Sequence, residues 1–341
     1  MERLLRKLNY STYTQGNKAG KWLASKLKAK RLHSKITQIS SQGGTPVQNP
    51  KLIVSEFSHY YKNLYNLSTD PKIPTPKKED ISSFLEEANL PKLTLSQQSA
   101  PGPDGFTNLY YRKFASFLTP ILTVLFNHIK LSGEIPSEML VATVVTIPKP
   151  GKPSSCCENY RLISLLNVDI KHYSKLLASR IGPLLPSLIQ LDQTGFVQGR
   201  QTCDNTRRFF NIIDLAHRTN EPGLLLSLDA EKAFDCVHYM HQTLAAFEFP
   251  DLFIKSIMAL YTTPSAKVFN MGFLSPLFCI SNGARQGCPL SPLIFVLTLE
   301  PLASHIRLTS SISGLLTPVG EQKLALFADD ILLYLSSPET S

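Results

Sequence analysis

The sequence is poor in the features that mark several large classes of protein. Its six cysteines, at 156, 157, 203, 236, 279 and 288, show neither a C-x-x-C spacing nor the density of a small disulfide-stapled domain. That usage points to a reducing intracellular compartment, nucleus or cytoplasm. No secretory apolar segment opens the chain and no uninterrupted apolar run approaches a membrane span, so a soluble protein without a membrane partner is expected. There is no G-x-x-x-x-G-K-[ST], no G-x-S-x-G and no G-x-G-x-x-G, which sets aside P-loop, α/β-hydrolase and dinucleotide-binding chemistry. Cys236, His238 and His241 lack a fourth ligand at a zinc-like spacing, and a helix face accounts for them. Internal repeats and low-complexity tracts are also missing.

What is present is a 341-residue chain, 43% hydrophobic and 18% charged, enough to bury a large core in two subdomains or one elaborate domain. Ten of its 35 lysines and arginines, but one of its 26 acids, fall in residues 1–40, so that segment alone carries an excess equal to the chain's net +9. The polyanion-binding signal is therefore local. Ala19, Leu23 and Leu27 recur at helical spacing there, with Lys18, Lys21, Lys26, Lys28, Lys30 and Arg31 on the other faces, a basic amphipathic helix suited to nucleic acid.

Further along, Ser40 to Pro50 reads as a loop or hairpin tip, and the three prolines of Thr69 to Lys78 as a linker. Lys113 to Lys130 reads as a helix with Phe117, Ile121, Val124, Leu125 and Ile129 on one side, Pro120 at its start or kink and Gly133 just past its end. Val141 to Ile147 reads as a strand, Ile170 to Ile181 as a helix closing near Gly182, and Leu224 to Leu228 as a second strand. Helical patterns follow at Met240 to Phe247 and Phe253 to Leu260, then a helix over Pro292 to Ile306 with Ser291 as N-cap. A closing hairpin completes an α+β pattern.

The chemistry concentrates at that hairpin. Asp329 and Asp330 sit between two β-compatible apolar runs, Leu324 to Phe327 and Ile331 to Leu335, where two like charges are unfavourable unless a cation neutralises them. Asp229 ends the earlier strand, on the face of Leu225 and Ser227, and could alternatively cap a following helix; Asp235 is the better cap. If the two strands pair, three acids converge on one point, a donor set for Mg²⁺ and for two-metal phosphoryl transfer. Phe234 is either core packing or a steric gate that leaves no room for a 2′-hydroxyl. Gly283 to Pro292 is either an ordinary loop or a ligand loop, in which Arg285 and Gln286 could bond phosphate, sugar or base and Gly287 could let backbone approach a ligand. Lys149, Lys152 and Arg161 surround a rigid turn whose natural partner is triphosphate or template backbone.

Seven segments in order, Ser99 to Gly105, Ile147 to Lys152, Asn159 to Asn167, Gln193 to Arg200, Asp229 to Asp235, Arg285 to Pro292 and Phe327 to Asp330, resemble the reverse transcriptase of LINE-type, non-LTR retrotransposons. The resemblance implies a right-hand polymerase: fingers and a palm whose antiparallel sheet, packed on helices, carries the catalytic acids. It implies residues 1–70 as a basic RNA-binding and linker region, 71–98 as linker and leading helix, 99–222 as fingers and start of palm, and 223–341 as palm. It further implies two Mg²⁺ ions, or Mn²⁺ in their place, on Asp229, Asp329, Asp330 and the carbonyl of Ala230. By the same resemblance Phe234 would be the gate, Arg285, Gln286 and Gly287 would line the nascent base pair, and Lys149 and Arg161 would contact triphosphate or template. The partners would be RNA template, notably the element's own RNA, DNA primer and deoxynucleoside triphosphates.

Two departures stand out. Leu162 follows Arg161 where the family usually has proline, which would loosen a turn. Only 11 residues follow Asp330, so the thumb is expected to be missing, as is the endonuclease that usually precedes this region. The expected function is RNA-directed DNA polymerisation, the alternative a catalytically dead nucleic-acid-binding fragment of a decayed retroelement. A group II intron maturase fits less well, because its splicing domain would lie further on.

Overall fold

A computed structural model describes residues 36–41, 43–65, 100–220, 222–230, 233, 239–280 and 283–337. In chain order these form β1 (Ile39–Ser40), β2 (Pro46–Val47), α1 (Pro50–Tyr65), α2 (Asn108–Lys113), α3 (Ala115–Ser132), β3 (Val141–Pro148), β4 (Tyr160–Leu165), α4 (Val168–Ile181), α5 (Leu185–Leu188) and α6 (Thr202–Thr219). There follow β5 (Leu224–Asp229), α7 (Met240–Ala246), α8 (Asp251–Met258), β6 (Ser265–Asn270), β7 (Phe273–Leu274), β8 (Phe278–Cys279) and α9 (Ser291–Leu308). The last elements are β9 (Leu315–Thr317), β10 (Gly320–Gln322), β11 (Leu324–Phe327) and β12 (Asp330–Leu335). Mixed helix and sheet bears out the α+β expectation.

Two compact units divide the chain. Of the described residues, the smaller comprises 36–41, 43–59, 145–162 and 268–276; the larger comprises those within 60–144, 163–267 and 277–341. In the smaller unit, β1 and β2 make the hairpin expected before Pro50, and Phe57 of α1 packs edge-on against Tyr160, ring centroids 5.0 Å apart. There β7 pairs antiparallel with the end of β6, Phe269 opposite Leu274 and Asn270 opposite Phe273.

The larger unit holds the three-stranded sheet that matters most, order β11-β12-β5, antiparallel throughout. Alternation along β11 and β12 sends their apolar residues to two faces, and a helix covers each. Ala325 and Tyr334 join Ile212 of α6, with Phe209 and Leu332 packed alongside. On the opposite face Leu324, Leu326 and Ile331 join Ala303 of α9, flanked by Leu299, Ile306 and Leu333. Both faces are thus closed over β11 and β12. By contrast β5 is an edge strand whose residues are all exposed.

Helix boundaries follow familiar chemistry. Thr107 caps α2 by accepting from the Tyr110 amide. Gly133 ends α3 in the left-handed conformation, φ 72°, its amide donating to the Ile129 carbonyl. The face of α3 differs from expectation. Leu122, Phe126 and Ile129 are buried, whereas Phe117, Ile121 and Val124 are exposed. This helix is apolar nearly all round, so periodicity offers two stripes and only its neighbours select one. A smaller difference is at α9: Leu290 holds the cap position, without a side-chain bond, and Ser291 is already helical.

Candidate active site

The register settles where the acids lie. Across β12 and β5, Asp330 is the direct partner of Asp229, followed by Ile331 with Leu228 and Leu332 with Ser227. Direct partners in an antiparallel pair have Cα atoms about 4.5–5.5 Å apart and share a face. Asp329 adjoins them in the two-residue turn between β11 and β12, whose ladder closes with Phe327 opposite Asp330. The turn is possible because Ala328 adopts φ 54°, a left-handed conformation costing a residue with a Cβ about 1–2 kcal/mol. Ala230 follows β5 directly, exposed.

Three carboxylates at one end of a sheet repel. Asp330 titrates above the ordinary carboxylate range, first because desolvation at the hairpin disfavours its charge, although the residue is exposed overall, and then because Asp329 and Asp229 are negative. Among the described residues none of the three makes an ion pair. A set of oxygen donors with formal charge −3 and no cationic partner among the described residues fits a hard divalent cation in its chemistry. The side chains, however, do not form a closed cage: among the described residues no group of three or more His, Cys, Asp or Glu is gathered so as to hold a metal. The strand pairing expected from the sequence is present, and it brings Asp229, Asp329 and Asp330 to one end of the sheet.

The loop before α9 turns inward. Arg285 is 7% exposed and donates from Nη1 to the Leu140 carbonyl at 2.9 Å. A buried arginine needs carbonyl acceptors, and Leu140, just before β3, supplies one. The Gln286 carbonyl accepts from the Ser164 amide at 2.8 Å. Gly287, with φ 109°, brings its backbone against the Ser164 carbonyl.

In the smaller unit, the Lys149 amide donates to the Asn159 carbonyl at 2.8 Å and the Asn159 side chain to the Pro153 carbonyl at 2.8 Å, closing the cationic turn. Gly151 takes φ 73° with open space around it. Lys152 and Arg161 are exposed and Lys149 half-buried, an arrangement available to a polyanion. Leu162 is not in a turn: it lies within β4 and is buried. Strand alternation there points Tyr160, Leu162 and Ser164 inward, and leucine fills a core position. Phe234 and the cations Lys18, Lys21, Lys26, Lys28, Lys30 and Arg31 lie outside the described residues.

Sequence reasoning assigned no role to the segment before α6, yet it touches the acidic turn. The Leu326 amide donates to the Asp192 carbonyl, the Thr194 amide donates to the Leu326 carbonyl, and Gln193 bridges Leu326 in parallel fashion. Gly195 has no room for a Cβ, which would stand 2.3 Å from the Ala328 nitrogen. The Gln193 to Arg200 stretch entered the family resemblance, which was the available signal for it.

Residues 147–341 match the family described as "Reverse transcriptase (RNA-dependent DNA polymerase)". Over 325 residues the chain is 29% identical to the Xenopus laevis "Transposon TX1 uncharacterized 149 kDa protein", covering 90% of this chain and 24% of that protein. It is 28% identical over 260 residues to the Drosophila melanogaster "Retrovirus-related Pol polyprotein from type-2 retrotransposable element R2DM", covering 75% and 24%. With the "Probable RNA-directed DNA polymerase from transposon BS" of the same fly it shares 26% identity over 298 residues, 82% and 30%. The chain spans about a quarter of the length of these relatives.

Proposed function

The chain belongs to the reverse transcriptase family, and on that premise we propose that it carries the active site of a LINE-type RNA-directed DNA polymerase, with β11, β12 and β5 as the centre of the palm. The observation that carries the reading is the register of Asp330 against Asp229, with Asp329 beside them in the turn.

In this reading the 3′-hydroxyl of a DNA primer, paired to an RNA template, attacks the α-phosphate of a deoxynucleoside triphosphate, and pyrophosphate leaves as its bridging P–O bond breaks. Mg²⁺ ions, when bound, supply Lewis-acid stabilisation of the attacking and leaving oxygens. Asp229, Asp329 and Asp330, with the Ala230 carbonyl, would hold them. The rigid ladder fixes the two strand acids in depth and face, so orientation is built before substrate arrives. Lys149, Lys152 and Arg161 offer charge to triphosphate or template, and Phe234 is the proposed gate against ribonucleotides.

The test is primer extension by the purified chain on an RNA template with Mg²⁺ or Mn²⁺, beside Asp229→Asn and Asp329→Asn. Metal-dependent incorporation that both substitutions abolish supports the proposal. Incorporation that survives Asp329→Asn overturns it. Salt-sensitive RNA binding without incorporation identifies the alternative, a binding fragment without catalysis.

A further inference from the structure

Gln193 is 1% exposed, and every polar atom of its amide is spent on two backbone positions. Oε1 accepts from the Ala328 amide at 3.0 Å and from the Gly195 amide at 2.8 Å. Nε2 donates to the Ala328 carbonyl at 3.2 Å. One side chain thus grips both the N–H and the C=O of the residue that precedes Asp329 and sits at φ 54°. A carboxamide offers a donor and an acceptor in one plane for such a grip. A glutamate would lack the donor and add a fourth negative charge beside three aspartates.

The gripping residue is itself braced. Arg200 donates to the carbonyls of Gln193, Gln190, Ile189 and Pro186 at 2.8, 2.5, 2.7 and 3.1 Å. Asp192 is held by both Nε and Nη2 of Arg307, each at 2.7 Å. Asn205 donates to the Leu326 carbonyl at 2.7 Å, on the other side of Phe327 from the turn. The absence of a Cβ at Gly195 lets the two backbones approach closely enough for the grip.

We propose that Gln193 is a positioning residue for the acidic turn: by clamping Ala328 in its left-handed conformation it sets where Asp329 and Asp330 present their carboxylates to a divalent cation. The inference deepens the polymerase reading and rests on it for the identity of the cation's role. Gln193 touches neither substrate nor metal donors; it acts through the peptide of Ala328.

The test uses the full chain and Gln193→Met, which keeps the side chain's length and loses its hydrogen bonds. Ile257→Val, a core truncation in α8, controls for stability alone. Amide exchange at Ala328 reads the clamp, Mn²⁺ titration followed by electron paramagnetic resonance reads the site, and primer extension reads kcat and KM separately. In Gln193→Met, Ala328 exchange rises and Mn²⁺ binding weakens about tenfold, the scale seen when groups that orient metal ligands are removed. The kcat falls while KM for the nucleotide stays near its starting value. Ile257→Val lowers the melting temperature and leaves Mn²⁺ affinity as it was. Unchanged Ala328 exchange in Gln193→Met overturns the clamp. Unchanged Mn²⁺ affinity there, or equal weakening in Ile257→Val, overturns the positioning role. A wild-type chain with a protected Ala328 amide that binds no Mn²⁺ overturns the metal reading of the site and with it the purpose assigned to the clamp, while leaving the clamp's geometry standing.

Discussion

Gly287 lies so close to Ser164 that a Cβ built on it would stand 2.6 Å from the Ser164 carbonyl oxygen. The neighbour is backbone, tied in place because the Ser164 amide donates to Gln286. Gly287 also occupies φ 109°, where residues with a Cβ are strained. Gly287→Ala should therefore destabilise the larger unit by about 2–4 kcal/mol. Urea unfolding measures this, and a loss below about 1 kcal/mol would show that the loop shifts without cost.

Arg307 bridges two acids from different parts of the chain, Asp192 and Glu300, each at 2.7 Å. Arg307→Met leaves both carboxylates without their cation in a mostly buried setting, a loss of about 3 kcal/mol at neutral pH. Burial already raises the Glu300 carboxyl, and Arg307 is the main group that opposes it. Without Arg307 its pKa climbs further, so the loss should shrink as pH falls and Glu300 protonates. Chemical denaturation at pH 7 and pH 5 checks the sign; a deficit that grows on acidification refutes the account.

Asp169, in the first turn of α4, is pushed up to about 6, chiefly by burial and then by the charge of Asp104. Its folded pKa lies above the unfolded value of 3.8. The stability it contributes is therefore complete below pH 4 and lost as pH rises through about 6, in total about 3 kcal/mol. His172 nearby is pushed down to about 4 by burial and acts in the opposite sense, so the wild-type curve alone does not isolate Asp169. The difference between Asp169→Asn and wild type does: the variant should gain on wild type between pH 4 and pH 7. A difference constant to about 0.5 kcal/mol would remove Asp169 as its source.

At the candidate site, protons compete with metal. Asp330 is raised by desolvation and by its two acidic neighbours, so Mn²⁺ affinity should decline as pH falls from neutrality. Asp229→Asn should weaken binding and also move this decline to lower pH, because one repelling charge is gone. Titrations across pH 5 to 8 measure both effects. A decline at the same pH in the variant would mean that Asp229 does not act on Asp330.

Much of this architecture was legible in the residues. Apolar runs interrupted by Asp329 and Asp330 announced a hairpin, since two β-compatible segments can turn only where polar groups stay wet, and β11 and β12 are that hairpin. Gly133, Gly182 and Pro292 marked helix ends because glycine and proline restrict or release the backbone regardless of tertiary context. Asp229 was legible as the end of a strand, and its type as a metal donor.

What local pattern leaves open is which surfaces meet. The exposed Phe117, Ile121 and Val124 of α3 are as apolar as the buried Leu122, Phe126 and Ile129, and only packing chose between them. The hydrogen bond from Arg285 to the Leu140 carbonyl spans 145 residues of sequence. Gln193 lies 135 residues from Ala328, and a hydrogen bond over that separation has no local signature. Side-chain periodicity and turn chemistry act within a few residues, so the sequence by itself determined the elements and the kinds of groups they carry. Register, burial and long-range hydrogen bonds arise only when the chain closes on itself, and they decided that Asp229 stands opposite Asp330 and that Gln193 holds the turn between.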